Sequence, residues 1–453
     1  MSTPPSAAGT AARPGTPHGP DAAKVRAAIR GGTLAYFVDQ FDIYLPIVVL
    51  APAAAYFQAA NLSASTTALL ASLVFASTLI GRPLGAIVFG HFADTVGRKR
   101  TTLVAVGGFG LITLLTACLP GHETIGMWSV GILIALRFVD GIFLGGEYTT
   151  AVPLAMEWSP KHKRGLYASI ITSTSPAAYA VIAAITLLML QLLPSAGLHS
   201  AYVQWGWRIP FFVGAALAAV LFRYYRKQVH EPPARLTGEK HKLPFLRLVK
   251  KYPRALGQVF VLMTGTWLAT NMEAAVTPAQ LKAHLDLSSK EVTATMLVIN
   301  AAAALSYPVF GVLSQRIGRR RFYIGYGLAM VVLGAGSYTL LMASDGGFGA
   351  ALGFGVLIGV FTVGTFGPIA AYLTERFPAS IRSTGYGVGY SLALIAPAFY
   401  QFYLQRFDGL VPAHLAPGVL IVLAGLLISL GGFLGPETKD VDMSDDSTIP
   451  ALS

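Results

Sequence analysis

Long apolar stretches alternate with short polar segments along most of the chain. Each stretch has about 20 residues or more, which is enough for an α-helix to cross a lipid bilayer. The predicted spans are 32–57, 66–92, 101–120, 126–156, 166–193, 207–225, 255–280, 291–314, 322–343, 348–373, 382–405 and 416–435. This pattern predicts an all-α membrane protein of twelve helices, with a polar linker at 226–254 that separates six spans from six.

Composition supports a membrane protein and argues against a soluble one. Hydrophobic residues make up 54% of the 453 residues and charged residues only 12%, whereas soluble domains carry about a quarter charged residues. The formal charge of +12 does not indicate a nucleic-acid surface, because the basic residues cluster in alternate polar segments. The single cysteine, Cys118, cannot form an internal disulfide.

The positions of lysine and arginine predict the orientation in the membrane. Most of them lie in the amino-terminal tail and in every second polar segment, and the other side has only Lys282, Lys290 and Arg406, with Arg208 at the start of the sixth span. Because cytoplasmic loops are enriched in basic residues, we expect a multi-pass protein of the cell (inner or plasma) membrane with both termini cytoplasmic.

The two ends of the chain are expected to be disordered tails. Residues 1–31 are rich in proline, alanine and glycine, and residues 436–453 carry several aspartates and few apolar side chains. Such segments bury too little apolar surface to offset the loss of conformational entropy. A basic segment followed directly by an apolar core is absent at the start, so we predict no cleaved signal peptide.

Two motifs recur in the same order in the two halves. GHFADTVGRKR at Gly90–Arg100 follows the second span, and GVLSQRIGRRR at Gly311–Arg321 follows the eighth. The second motif, with identical spacing, consists of Glu157, Pro160 and Arg164 after the fourth span and of Glu375, Pro378 and Arg382 after the tenth. Parallel repeats predict two six-helix bundles, residues 32–225 and 255–435, related by a pseudo-two-fold axis along the membrane normal.

The chain resembles the major facilitator superfamily and, within it, the metabolite:proton symporters. Gly90–Arg100 is similar to the superfamily's loop motif Gly-x-x-x-Asp-x-x-Gly-Arg-basic-basic. The other matching segments are Asp39–Asp42, GRPLGA at Gly81–Ala86, RFVDGIFLGGEY at Arg137–Tyr148 and WGWRIPFF at Trp205–Phe212. The resemblance covers most of 32–435 and implies a transporter rather than an enzyme. Members carry different organic acids and zwitterionic osmolytes, so the family does not fix the substrate.

The resemblance also implies an inner gate at the cytoplasmic rim, where Asp94 contacts a neighbouring helix end. Gln315 stands where the family has an acid, so the second-half gate cannot use a carboxylate there. Asp39 stands where relatives more often have the longer glutamate. The gate candidates are Gly90, Asp94, Gly97, Arg98, Glu147, Glu157, Arg164, Glu375 and Arg382.

Ionisable residues within the spans are the other functional candidates, because a charge at a helix centre costs about 2.5–3.5 kcal/mol on insertion scales. The proton-coupling candidates are Asp39, Asp42, Asp140 and Glu273. The substrate-binding candidates are Arg82, Arg137, Tyr36 and Asn271. We predict no catalytic triad, no metal site, no nucleotide loop and no cofactor.

Each of these candidates has a structural alternative. Asp39 and Asp42 lie one turn apart on one helix face, and two nearby carboxylates do not both ionise readily in a low dielectric, which suits a proton carrier. They can instead form ion pairs with Arg82 or Arg137, or contact the substrate. The guanidinium of either arginine fits a carboxylate of a substrate or of the protein.

Similar alternatives apply to the remaining acids. Asp140, one turn from Arg137, favours an internal pair. Glu273 is either a second-half substrate or proton group or a residue in water at the outer end of its helix. Glu147 lies toward the inner end of its helix and is assigned to the gate.

The leading functional prediction is proton-coupled symport of a small organic acid by alternating access. The predicted partners are the lipid bilayer, the organic acid and protons, without nucleic acid, and a monomer is expected. The alternatives are a symporter of zwitterionic osmolytes, a proton-coupled efflux transporter and a non-transporting membrane sensor. The fifth span lacks the Gly-Pro-rich motif typical of antiporters, which argues against efflux. The sequence shows no added soluble signalling domain, which argues against a sensor.

Overall fold

The computed structural model describes residues 22–50, 52–59, 62, 64–194, 197–231, 244–344, 346–407 and 409–449. All regular secondary structure in these ranges is helical, as the apolar stretches predict. Residues 1–21 of the predicted first tail, 232–243 of the predicted linker and 450–453 of the predicted second tail lie outside the described residues.

The helices of the first half precede residue 232. They are α1 Ala22–Val48, α2 Ala64–Thr95, α3 Arg98–Ala117, α4 His122–Ile125, α5 Trp128–Trp158, α6 Arg164–Thr172, α7 Thr174–Leu192 and α8 Arg208–Gln228. Those that follow residue 243 are α9 Pro244–Lys251, α10 Pro253–Asn271, α11 Thr277–Ala283, α12 Ser289–Ile317, α13 Arg319–Ala329, α14 Ala335–Met342, α15 Gly347–Val363, α16 Ile369–Glu375, α17 Arg382–Leu392, α18 Ile395–Ala398, α19 Tyr400–Arg406 and α20 Ala416–Leu434. Wider helical turns at Tyr202–Gly206, Met272–Val276 and Met330–Gly334 adjoin these helices.

Ten helical stretches among the described residues are long and apolar enough to cross a membrane. The first and the eleventh predicted spans are outside this set. α1 carries Arg26, Arg30, Asp39 and Asp42 along its length, and the eleventh span is divided into the three short helices α17, α18 and α19. Both exceptions involve helices that carry candidate site residues, namely Asp39 and Asp42 on α1 and Arg382 on α17.

α1 begins at Ala22, earlier than the predicted span. Val25 and Ile29 in its first turns are buried. Gly31 lies so close to Tyr225 of α8 that a Cβ there would be 3.4 Å from the tyrosine ring. Packing against α8 therefore stabilises a helical segment whose composition alone suggests a tail.

α2 and α5 pack with their backbones in contact. A Cβ at Gly85 would overlap the carbonyl group of Ile142, and one at Gly145 would overlap the carbonyl oxygen of Arg82. Small residues permit this approach between membrane helices. The contact places Arg82 of α2 beside the part of α5 that carries Glu147.

The helices of each half pack mainly with one another. Between the halves, α2 and α5 pack against α17, and α12 packs against α6 and α7. These two zones correspond to each other, because α2 and α12 each end within one copy of the loop motif. Arg82 and Glu147 therefore lie on helices that contact the second half.

Candidate functional site

Arg82 and Asp39 form a buried ion pair. The Nη2 of Arg82 donates to both carboxylate oxygens of Asp39, at 3.2 and 2.9 Å, and neither side chain is exposed. Gln40 Nε2 also donates to Asp39, at 2.6 Å. The Nε and Nη1 of Arg82 have no hydrogen-bond partner among the described residues. Part of the guanidinium is thus available for a further acceptor.

Arg137 forms a second buried network. Its Nη1 lies 3.0 Å from Asp42 Oδ2 and 3.2 Å from Asp140 Oδ2. Its Nη2 donates to the carbonyl oxygen of Asp42 at 3.2 Å, and its Nε donates to Thr78 Oγ1 at 3.2 Å. Thr113 Oγ1 donates to Asp42 Oδ1 at 2.5 Å. Groups of the protein itself therefore occupy all three nitrogens of this guanidinium.

Asp39 and Asp42 thus bind different arginines, although they share a face of α1. Both acids are in ion pairs in this structure, which is the structural alternative that the sequence left open. Of the two arginines predicted to bind substrate, Arg82 alone has nitrogens without a hydrogen-bond partner within the part of the chain that the structure describes.

An aromatic cluster covers the face of Arg82. Its Cζ lies 4.6 Å from the ring centroid of Tyr148, and that ring packs against Tyr390 with 4.8 Å between centroids. The hydroxyl groups of Tyr390 and Tyr36 are 2.7 Å apart, and Trp267 Nε1 donates to the carbonyl oxygen of Tyr390 at 2.8 Å. Because Tyr390 and Trp267 belong to the second half, the cluster joins the two halves beside Arg82.

A small polar cavity adjoins this cluster. It is lined by Gln40, Tyr44, Ser175, Pro176, Trp267, Thr270, Glu273, Asn300, Tyr307, Val363, Phe366 and Tyr390. Asn300 Nδ2 donates to Glu273 Oε1 at 3.1 Å, and Ser175 Oγ donates to Gln40 Oε1 at 2.7 Å. Glu273 is therefore buried between the halves and does not lie in water at a helix end.

Asn271 does not line this cavity. Its Nδ2 donates to the carbonyl oxygen of Pro397 at 2.9 Å, which ties α10 to α18. The cavity instead contains Gln40, Ser175 and Asn300, which were not among the predicted site residues. Their signal in the sequence was weak, since all three are neutral: Gln40 lies beside the more conspicuous Asp39, Ser175 ends a run of hydroxyl residues, and Asn300 is a single amide in an apolar span.

Glu157 lies at the centre of an ion cluster at one end of the molecule. We call this the basic end, because the loop motifs Gly90–Arg100 and Gly311–Arg321 lie there. Glu157 forms ion pairs with Arg98 of its own half and Arg382 of the other half. At most 1% of each of the three side chains is exposed.

A second cluster repeats this arrangement with the halves exchanged. Glu375 pairs with Arg319 of its own half and Arg164 of the other half, at 3.2 Å in each case. Arg319 was not among the predicted gate residues, although it is the counterpart of Arg98 in the repeated loop. The two clusters together join the halves across the basic end.

Asp94 provides a further contact between the halves. Its carboxylate accepts hydrogen bonds from the backbone N–H groups of Ser383 and Thr384, at 3.2 and 2.9 Å, and from Thr384 Oγ1 at 2.8 Å. These N–H groups belong to the first turn of α17, where a negative charge is favourable. Gly90 permits the approach, because a Cβ there would be 3.0 Å from the Cα of Thr384.

Gln315 occupies the corresponding place in the second half. Its Oε1 accepts a hydrogen bond from the backbone N–H of Gly165 at 3.0 Å, and Arg319 Nη2 donates to it at 2.7 Å. The amide oxygen thus accepts from a helix start as Asp94 does, without a formal charge. Gly311 lies even closer to its neighbouring helix than Gly90 does, because a Cβ there would overlap the carbonyl oxygen of Gly165.

The second glycine of each loop motif has a positive φ. The values are +144° at Gly97 and +100° at Gly318, a region that favours glycine. The N–H groups that follow donate to Glu231 in the first half, at 2.7 and 3.0 Å, and to Glu437 in the second, at 2.8 and 3.3 Å. The two loops thus share their backbone geometry and their carboxylate cap.

Comparison with known proteins identifies the family. The family model described as Major Facilitator Superfamily matches residues 32–401. The chain belongs to the major facilitator superfamily. The repeated loop motif and the two ion clusters therefore occur in a member of this superfamily.

The relatives are transporters with different names. The chain is 31% identical over 421 residues to the inner membrane metabolite transport protein YhjE of Escherichia coli K12, which covers 90% of this chain and 93% of that protein. It is 30% identical over 379 residues to the α-ketoglutarate permease of the same organism, covering 81% and 83%. It is 28% identical over 423 residues to the proline/betaine transporter of that organism, covering 89% and 82%.

Among solved structures, the proton:xylose symporter XylE bound to 6-bromo-6-deoxy-D-glucose has a similar fold. The TM-score is 0.75 at 18% identity, covering 93% of this chain and 98% of that one. The predicted all-helical major facilitator fold is thus confirmed. This superfamily member is a multi-pass membrane protein and a transporter of small molecules, not an enzyme. No group of three or more potential metal ligands occurs in the described ranges.

Glu147, which the sequence assigned to the gate, does not join the clusters of the basic end. It is fully buried on α5, about 15 Å along the helix from Glu157 at about 1.5 Å per residue. Both carboxyl oxygens lack a hydrogen-bond partner among the described residues.

Residues Glu437–Ile449, which we call the strap, cross the basic end. Arg164 Nη1 donates to the carbonyl oxygen of Val441 at 3.0 Å, and Arg382 Nη2 donates to that of Met443 at 3.1 Å. The side chains of Val441 and Met443 are buried. The strap therefore contacts both halves, whereas its composition predicted a disordered tail.

Polar side chains fix the strap further. Thr438 Oγ1 donates to Glu375 at 2.8 Å, and the N–H of Ala379 donates to Asp446 at 2.9 Å. Hydrogen bonds from Ser444, and more weakly the charge of Arg164, lower the pKa of Asp442. The acidic strap thus lies over the helices that begin with Arg164 and Arg382. Attraction between these opposite charges explains why the strap has a defined conformation.

An Asp94→Asn substitution should loosen the start of α17. It replaces charge-assisted hydrogen bonds, worth about 1.5–3 kcal/mol, with weaker neutral ones. We expect amide hydrogen exchange in 382–392, followed by mass spectrometry, to accelerate about tenfold or more. Gln315→Glu is the matched variant and should slow exchange at 164–172, because it adds the charge that this half lacks. Unchanged exchange in both variants would contradict a gating role for these contacts.

Proposed function

We propose that this protein is a secondary active transporter that couples proton entry to the uptake of a small organic acid by alternating access. The observation that carries the proposal is the guanidinium of Arg82, which is buried between the halves with Nε and Nη1 unpartnered among the described residues. Arginine keeps its charge at any physiological pH and presents a fork that fits a carboxylate. A buried cation with free donors is therefore suited to an anionic substrate.

The orientation follows from the distribution of charge. The basic end carries the arginine-rich loops, so we propose that it faces the cytoplasm together with both termini. In this orientation the structure is closed toward the cytoplasm. At the opposite end, an apolar cleft lies between the halves and is lined by residues that include Pro46, Phe57, Phe75, Ala274 and Pro278. We propose that substrate enters through it.

Alternating access requires the two halves to move against each other. We propose that residues 32–225 and 255–435 move as two bodies, connected by the linker 226–254. Contacts at the basic end break as those at the opposite end form. A single chain contains the whole pathway in this scheme, so a monomer suffices.

The relatives support an organic substrate without fixing its class. One is named an α-ketoglutarate permease and another a proline/betaine transporter. A zwitterionic substrate is the second candidate, because Glu273 forms no ion pair within the described residues and lies in a cavity that contains Trp267, Tyr307 and Tyr390. A carboxylate and aromatic rings attract an ammonium group.

Uptake into proteoliposomes tests the proposal. The purified protein should accumulate a carboxylate from a panel of lactate, α-ketoglutarate and proline when the interior is alkaline relative to the outside. Arg82→Gln should weaken binding by about 2 kcal/mol or more, about thirtyfold, because a buried charged partner is lost. Arg82→Gln combined with Asp39→Asn removes both charges and tests binding without an unpaired acid.

Arg406→Gln is the control, since Arg406 is exposed on α19. It should transport like the unmodified protein. Uptake that does not respond to the pH gradient would contradict proton coupling. Unchanged affinity in both Arg82 variants would contradict the assignment of this arginine to the substrate.

A further inference from the structure

Glu147 is a buried acid that the proposed binding site does not use. None of its surface is exposed, and neither carboxyl oxygen has a hydrogen-bond partner among the described residues. The other buried acids of the spans each have a partner: Asp39 and Asp42 accept hydrogen bonds from arginines, and Glu273 accepts one from Asn300. The carboxyl oxygens of Asp140 also lack a hydrogen-bond partner among the described residues, but one of them lies 3.2 Å from Arg137 Nη1.

The surroundings of Glu147 leave its negative charge uncompensated. Taking an ion out of water costs several kcal/mol even after relaxation, and this cost is offset only by close partners and hydrogen bonds. Glu147 has no such partner within the described residues, so these surroundings favour the neutral, protonated form of its carboxyl group. A protonated acid that is closed off from the basic end is the state that a proton carrier requires before release.

Among the described residues, Arg82 is the cation that interacts electrostatically with Glu147. The contact between Gly145 and the backbone of Arg82 brings α2 and α5 together next to Glu147. The groups that interact electrostatically with Glu147 are Asp39 on α1, Arg82 on α2, Tyr225 on α8 and Tyr386 on α17. Among these, Arg82 alone is positive, and it has two free nitrogens.

We propose that Glu147 carries the transported proton, and that its deprotonated carboxylate takes the free N–H groups of Arg82 and so displaces the carboxylate of the substrate. The inference rests on the function proposed above and names the group that couples the two fluxes.

The proposed step balances in charge and in bonds. When the basic end opens, the O–H bond of Glu147 breaks and the proton passes to water. The hydrogen bonds from Arg82 Nε and Nη1 to the substrate carboxylate are replaced by bonds to Glu147, and the substrate anion leaves by the same opening. Arg82 itself never loses a proton. Return of the empty carrier with Glu147 paired, followed by protonation from the opposite side, frees Arg82 for the next substrate.

Glu147→Gln separates exchange from net transport. The amide is neutral and mimics the protonated acid, so substrate binding and exchange of labelled for unlabelled substrate should persist. Coupling of one proton to one anion allows about tenfold accumulation for each unit of pH difference. In the variant this ratio should fall to about one, and the alkalinisation of the outside that accompanies uptake should vanish. Glu147→Asp should restore part of the accumulation.

Glu123→Gln is the matched control, because Glu123 is an exposed glutamate outside the membrane spans. It should behave like the unmodified protein. If the unmodified protein responds to the pH gradient and Glu147→Gln still concentrates substrate, the inference is wrong while the proposed function stands. If the unmodified protein does not respond, the proposed function itself fails.

Infrared spectroscopy supplies a test that needs no substrate. A protonated carboxyl group has its own C=O stretching band. We expect a band at neutral pH that is absent from Glu147→Gln and shifted in Glu147→Asp. No difference in this band between the unmodified protein and the two variants would overturn the inference, whatever the transport assays show.

Discussion

A Glu157→Gln substitution is expected to open the basic end. Glu157 lies between Arg98 and Arg382, and the three side chains are almost completely buried. Loss of its charge leaves two buried arginines facing each other, and breaking a buried ion pair in this way costs about 3–5 kcal/mol. Since 1.4 kcal/mol is a factor of ten in an equilibrium, even a fraction of this cost shifts the population from closed to open.

Distance measurements between spin labels detect this opening. Arg100 and Arg321 are exposed and belong to different halves, and replacement of Cys118, the single cysteine, leaves only the labels. The distance distribution should broaden toward longer values in Glu157→Gln and, because of the repeat, in Glu375→Gln. Glu123→Gln should leave it unchanged. A distribution identical to that of the unmodified protein in both gate variants would contradict the role of the clusters.

Uphill transport should fall with the opening. A carrier that cannot close its basic end does not expose the site alternately to the two sides of the membrane. Accumulation in proteoliposomes should therefore decrease to a small fraction of its normal value in Glu157→Gln, whereas the protein should still reach the membrane.

The sequence predicts most of the fold because a bilayer imposes a simple rule on each helix. A run of about 20 apolar residues is a span wherever it occurs. The exceptions are informative. α1 contains acids that Arg82 and Arg137 neutralise, and the eleventh span is broken at α18, where Asn271 donates a hydrogen bond to the carbonyl oxygen of Pro397. Local hydropathy contains neither piece of information, because both depend on contacts with other helices.

The repeated motifs predict which residues lie at the basic end, and the structure shows which contact which. Each glutamate contacts one arginine of its own half and one of the other half. The sequence alone did not select Arg319, since it stands among three consecutive arginines. The replacement of an acid by Gln315 was visible, but its retained role as an acceptor from Gly165 depends on the close approach of two helices.

The central site was predicted only in part. Burial of charges in spans indicated Asp39, Arg82 and Glu147 as unusual, yet their different surroundings depend on side-chain partners. The spacing of Asp39 and Asp42 suggested that they interact with each other, whereas the structure gives each its own arginine. Glu147 was assigned to the gate from its position along α5, and the direction of its side chain could not be inferred from that position.

Deletion of residues 436–453 is expected to destabilise closure of the basic end. The deletion removes the carbonyl groups that accept hydrogen bonds from Arg164 and Arg382, and hydrogen bonds to charged groups are worth about 1.5–3 kcal/mol each. It also exposes the apolar surface under Val441 and Met443. Even a net loss of about 2 kcal/mol would shift the ratio of closed to open forms about thirtyfold.

The matched control is deletion of residues 450–453 alone, which retains the whole strap. Spin labels at Arg100 and Arg321 should report a longer distance after the first deletion and no change after the second. The double substitution Val441→Asp and Met443→Asp should resemble the long deletion, because burial of unpaired charges is unfavourable. Since Val441 accepts a hydrogen bond from Arg164 of one ion cluster and Met443 accepts one from Arg382 of the other, separation of the halves must also break contacts of the strap. A long deletion that leaves the label distance and the uptake rate unchanged would show that the clusters close this end without the strap.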